Sequence, residues 1–235
     1  MNPFDLPPLA AVLSVAASGL ESLGSLVTPA LAIVLVTVAV RALLIPVGVS
    51  VAKAAQNRRR LAPQLAELQR RHRKDPQKLQ RATMELYAAE KVSPLAGCLP
   101  LLAQMPVISL VYALFVLPTI AGEPNVLLTA PAFGTDLGRR LGDVFGGAML
   151  GDLTFLALAL VLMAVAWLNR RLTLRDAPAA SPQLPAALDP RGPLSWAPFL
   201  TVAALAVVPL AAGLYLAVSG AWAWAERSIL RRIYA

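Results

Sequence analysis

One residue of this chain carries a fixed charge where a membrane least favours it. Arg41 is the only ionisable side chain between Leu23 and Ala52, inside the run SLVTPALAIVLVTVAVRALLIPVGVSVA. A guanidinium stays protonated in proteins, and placing one at mid-membrane costs about 2.5–3.5 kcal/mol on insertion scales. Such groups face a bundle interior or a water-filled cavity. Thr37 lies one turn before Arg41 on the same helical face. No Asp or Glu falls within the charge-free apolar runs, so Arg41 is expected to lack a salt-bridge partner inside the membrane. Two readings follow. The guanidinium either snorkels to the interface near Lys53, or it lines a hydrated cavity together with Thr37 and Gln104, with Ser109 and Ser219 as further polar candidates. In the second reading an unpartnered cation attracts anionic groups from outside the chain.

Other chemistry is sparsely provided. The single histidine, His72, lies among basic residues, and the single cysteine, Cys98, sits between Gly97 and Leu99 at the start of an apolar run. One of each excludes a disulfide framework and a Cys/His zinc site. The apolar runs hold no paired carboxylates and no Ser/His pair, and the chain has no phosphate-cradling glycine loop. An enzyme is therefore not expected, and no metal, cofactor or nucleotide is implied.

The elements that hold Arg41 follow from where charges are missing. Of 235 residues, 57% are apolar and 14% charged, with a net charge of +8; soluble domains carry about 25% charged residues. Charge is absent between Lys91 and Glu123, between Asp152 and Arg170, and between Arg191 and Glu226. A crossing needs about 20 mostly apolar residues. The last gap is 34 residues long and is interrupted by Pro209, so it reads as a hairpin of two short crossings. The expectation is an all-α polytopic membrane protein with five transmembrane helices, at 23–51, 94–118, 152–169, 195–208 and 209–227. Residues 1–22 form an interfacial amphipathic segment rather than a signal peptide, since they lack a basic n-region. Eleven Lys or Arg residues fall within 53–91 and two within 119–150. The positive-inside rule then makes 52–93 cytoplasmic, the loop 119–151 extracytoplasmic, the Pro/Ala-rich linker 170–194 cytoplasmic and the tail 228–235 cytoplasmic, with the N-terminus outside.

Residues 52–93 are the one sizeable polar segment. Leu61, Leu65 and Leu68 share one helical face, and Leu79, Ala82 and Leu86 another. Asp75 suits an N-cap and Pro76 a first turn, so the segment reads as a helical hairpin with narrow apolar stripes. Its positive charge suits lipid headgroups or a docking partner equally.

The run Thr37-Val38-Ala39-Val40-Arg41, then Pro46, Pro63, LYAAEKVSPLAGCLPLLAQMP at 86–106 and Tyr112, resembles the YidC-type membrane protein insertases of bacteria, mitochondria and chloroplasts. The resemblance is strong over about 34–118 and topological beyond. It implies five core helices, a cytoplasmic hairpin and a hydrophilic groove whose arginine, Arg41 here, receives polar or acidic parts of an inserting chain. Residues expected at that groove are Arg41, Thr37, Gln104, Tyr112 and Tyr215. The last helix departs from the family's aromatic-Pro-x-Gly-Leu opening: the stretch is VVPLAAGLYLAVSG, with Gly213 displaced and Leu216 after Tyr215. A long basic ribosome-binding tail is not expected, as three residues follow Arg232. The implied location is a bacterial plasma membrane. The implied partners are nascent membrane proteins and the lipid bilayer, with the Sec translocon, the ribosome or signal recognition particle components as further candidates. Two other functions fit the same features: a translocon-associated folding scaffold without autonomous insertion, and a small transporter.

Overall fold

A computed structural model describes residues 7–92, 109–120, 122–143, 149–177 and 191–234. The described chain is all-α apart from two minimal hairpins. Helix α1 spans Pro7–Leu26 and buries Leu13 and Leu20, seven residues apart on one face. On its other faces Ser14, Ser18, Ser22 and Ser25 each donate their hydroxyl to a carbonyl three or four residues earlier. Those hydroxyls are thus satisfied without water. The helix runs on past residue 22, where the interfacial segment was expected to end, and stops at Leu26. The Thr28 hydroxyl accepts from the Leu31 N–H at 3.2 Å, and Pro29 occupies the first turn, which starts α2 (Pro29–Leu43).

The stretch expected as one crossing at 23–51 contains a bent pair of helices. Helix α2 ends at Leu43 and α3 (Ile45–Arg71) begins at once, with 53° between them. Pro46 has no N–H to offer Ala42, and its ring crowds that carbonyl, so a straight helix cannot pass through this point. Beyond the bend α3 continues for 27 residues, about 40 Å. The backbone therefore has no break at residue 52, where crossing and hairpin were expected to meet. Helix α4 (Pro76–Ala89) follows a turn in which the Asp75 carboxylate accepts from the Lys78 N–H at 3.0 Å. An ion pair between Arg60, midway along α3, and Glu90, at the end of α4, shows that the two run antiparallel. No residue of α4 is fully buried.

Residues 109–116 form α5. The Asn125 side-chain amide donates to the Leu114 and Leu117 carbonyls, both at 2.9 Å, and so caps that helix's end. The strands β1 (Thr119–Ile120) and β2 (Glu123–Pro124), and β3 (Pro131–Ala132) and β4 (Thr135–Asp136), form two antiparallel pairs around the short helix α6 (Val126–Thr129). Helix α7 (Met149–Asp176) has 28 residues and extends seven residues beyond the expected end of its crossing. Residues 178–190 of the linker lie outside the described residues.

The last apolar stretch is indeed interrupted. A 3-10 segment, Pro193–Phe199, runs into the short helix α8 (Leu200–Ala204), a turn follows, and α9 spans Leu210–Tyr234. Together the first two measure about 21 Å, shorter than the core of a typical bilayer, about 30 Å. The first amides of α9 are satisfied by the preceding loop: Leu210 N–H donates to Arg139 and Ala211 N–H to Leu137, each at 2.9 Å. Helix α9 is the central element, packing along α7, α2 and α3. Ile33, Phe115, Leu137, Phe155, Leu162, Leu205 and Ala211 form the core around its first half.

Among the described residues, Leu153–Asp176 is long and apolar enough to cross a membrane as a single helix, and the bent α2–α3 pair meets the same test jointly.

Candidate functional site

The α2–α3 bend turns the last turn of α2 towards the second half of α9. Between them lies a cavity of about 260 Å³. Arg41 lines it from α2, Gly48, Gln56 and Arg59 from α3, Glu226, Arg227 and Arg231 from α9, and Asp176 from the end of α7. The charge gaps place four guanidiniums and two carboxylates around one space.

Each charge but one is held. Asp176 pairs with Arg59 at 3.0 Å and with Arg231 at 3.4 Å, so one carboxylate ties α7 to α3 and α9. An acid at a helix C-terminus opposes the helix dipole, and the two flanking arginines offset that. Arg227 donates to the Asn169 side-chain oxygen, while the Asn169 amide donates to Val165 at 2.9 Å and to Gly220 across the helix pair at 3.1 Å. Glu226 accepts from the Trp222 indole N–H at 3.1 Å, and its other oxygen is buried without a hydrogen bond. Arg41, half-buried, makes no hydrogen bond or ion pair among the described residues.

Gly48 explains how Glu226 fits. A Cβ built on Gly48 would overlap the Glu226 carboxylate, so the backbone of α3 lies directly against it. A glycine inside a helix is otherwise unfavourable by about 0.8–1.0 kcal/mol relative to alanine.

The other residues expected at the groove are dispersed. Thr37 is buried at 4% exposure, and its hydroxyl donates to the Ile33 carbonyl at 2.6 Å, which turns it back into its own helix rather than towards the cavity. Tyr215 packs on Phe115 with ring centroids 5.9 Å apart, in the core. Tyr112 is 49% exposed on α5 and does not line the cavity. Gln104 and Cys98 lie outside the described residues. Ser219 is buried, with its hydroxyl unbonded, away from Arg41's cavity.

Asp176, Glu226 and Gly48 are additions from the structure. Glu226 marked the end of a charge gap and Asp176 lay within the expected linker, so neither carboxylate was read as a neighbour of Arg41. Arg41 thus shares its cavity with acids from the chain itself, although neither bonds to it. Among the described residues no group of three or more His, Cys, Asp or Glu side chains could hold a metal ion.

The family described as 60Kd inner membrane protein matches residues 23–235. The membrane protein insertase YidC of Burkholderia cenocepacia is 40% identical over 97 residues, which cover 41% of this chain and 18% of that protein. The protein of the same name from Clostridium perfringens is 37% identical over 83 residues, 35% of either chain. The match thus spans about a third of the length of the latter and under a fifth of the former, while the family match takes in every element from α2 to α9. The chain belongs to the 60Kd inner membrane protein family, that of the YidC-type insertases.

Proposed function

We propose that this chain is a membrane protein insertase that accepts the polar flank of a hydrophobic segment in the Arg41 cavity. The observation that carries the reading is a half-buried guanidinium lining a cavity without a bonded partner among the described residues. In this reading the protein has five crossings, with α1 in the outer interface, the α3–α4 hairpin in the cytoplasm and both the linker and the C-terminus on that same side. A nascent segment arrives from the cytoplasm and lies against apolar helix faces while its flank enters the cavity. There the flank meets a charge already desolvated by the fold, so the cost of several kcal/mol for an unpaired polar group in lipid falls. An acidic flank gains most: Arg41 attracts it, and the membrane potential favours its outward movement by about 2.3 kcal/mol per charge per 100 mV. The short 193–204 element supports local bilayer thinning, which shortens the polar path. No cofactor takes part.

The test is reconstitution of the purified protein alone in liposomes with single-span substrates bearing acidic or neutral flanks. Arg41→Ala is expected to lower insertion of the acidic substrate about tenfold, a loss near 1.4 kcal/mol, with a smaller effect on the neutral one. Crosslinking from Tyr112 should report the passing segment. Equal insertion by both proteins would remove Arg41 from the mechanism. Activity only when a translocon is added would make the chain a scaffold.

A further inference from the structure

A second basic cavity lies at the same end of the molecule, on an adjoining face of α9. It holds about 470 Å³ between α7 and α9. Arg171 and Arg175 line it from α7, Arg231 and Arg232 from α9, and no Asp or Glu lines it. Arg231 is engaged with Asp176. Arg171 stacks on the Trp167 ring, 3.5 Å from its centroid. Arg175 and Arg232, both exposed, have no hydrogen bond or ion pair among the described residues. The remaining wall is mostly apolar, formed by Leu168, Leu172 and Trp224, with Ser228 the one further polar side chain.

The layering of these groups identifies the ligand. Charge is absent from 153 to 169, so Arg171 and Arg175 stand about 3 and 9 Å beyond the apolar stretch of α7. On α9, Arg231 and Arg232 stand about 10–12 Å beyond Trp224. Both helices thus bring guanidiniums to one level, immediately past an apolar shelf. That is the order of a phospholipid: acyl chain, then phosphate. Helix dipoles favour cations at these C-termini and explain their presence singly, but not four converging on one cavity with an apolar wall. An RNA backbone would want an extended basic strip without that wall.

We propose that the α7–α9 cavity binds the phosphodiester headgroup of an anionic phospholipid, with an acyl chain on Leu168, Leu172 and Trp224. Arg175 and Arg232 grip the phosphate oxygens through paired N–H donors, and Arg171 is held in place by Trp167. The bound lipid bridges α7 and α9 beside the Arg41 cavity, with Arg231 lining both. The inference rests on α7 spanning the membrane, as proposed above, and not on the insertion activity.

The test is native mass spectrometry of the full chain in detergent, titrated with phosphatidylglycerol or with phosphatidylcholine of the same acyl chains. Retention of phosphatidylglycerol at least about tenfold above phosphatidylcholine is expected, and R171Q/R175Q/R232Q should abolish the preference. The corresponding lysine triple variant keeps the charge and should recover most of it, which separates lost binding from lost folding. Equal retention of the two lipids, or an unchanged preference in the glutamine variant, overturns the proposal. Displacement by millimolar inorganic phosphate would make the site one for a soluble anion, and displacement by an RNA oligonucleotide one for RNA; either result also overturns it. Loss of lipid with insertion intact refutes this site alone, whereas retained lipid with no insertion refutes only the insertase reading.

Discussion

At the scale of single residues, the cavity is defined by which charges are already satisfied. Glu226 occupies space near Arg41 yet spends one oxygen on Trp222 and buries the other unbonded, a state that costs about 1–3 kcal/mol or more for a charged group. Its negative charge competes with any acidic guest for the field of Arg41. Glu226→Gln is therefore expected to increase insertion of acidic-flanked substrates about twofold to fivefold, read in the liposome assay. A fall instead would mean that Glu226 assists entry. Gly48 offers a stability test of the same contact. Gly48→Ala should gain about 1 kcal/mol from helix propensity if space allows, but the new methyl meets the Glu226 carboxylate. The expected sign is thus destabilising in the natural protein and stabilising in a Glu226→Ala background, measured by thermal unfolding in detergent. The same sign in both backgrounds would show that the two residues do not touch.

At the scale of elements, two features set the geometry of the cavity. Pro46 makes the bend that turns Arg41 towards α9. Pro46→Ala restores an amide for the Ala42 carbonyl and should straighten the pair. Spin labels at Leu31 and Gln64, both exposed, should then move apart by about 5 Å, given the helix rise and the 53° bend. An unchanged distance would assign the bend to tertiary packing. The second feature is the α7–α9 clamp, in which Asn169 bonds Gly220 and Arg227. Asn169→Ala leaves a guanidinium and a carbonyl short of partners and should cost about 1–3 kcal/mol, seen as a lower unfolding temperature.

At the scale of the whole molecule, the question is which end faces which compartment. The basic ends of α3, α7 and α9 gather around Asp176, while the loop 117–143 caps α5 and the start of α9 at the other end. In the proposed topology, with basic residues retained on one side, those two ends lie across the bilayer from each other. In a Cys98→Ser background, Lys74→Cys and Glu123→Cys should react with an impermeant thiol reagent from opposite sides of sealed vesicles. Labelling from the same side would dismantle the five-crossing topology.

Much of this was legible without coordinates, because lipid imposes a coarse and unforgiving rule. Long stretches without charge, a lone Arg41 within one of them, Pro209 dividing the last, and Asp75-Pro76 starting a helix are local facts that periodicity and capping chemistry convert directly into elements. The YidC-type motif around Arg41 and residues 86–106 was equally plain from the residues themselves. What the residues could not announce was the direction in which each side chain points once helices pack. Thr37 and Tyr215 look available to a groove, yet one hydroxyl turns back on the Ile33 carbonyl and the other ring enters the core. Gly48 and Glu226 stand 178 positions apart, and their contact exists only because Pro46 bends α3 against α9. Composition and spacing decided what the chain is made to cross; the angle between two helices decided which charges meet there, since a bend converts sequence-distant residues into neighbours and no local pattern encodes it.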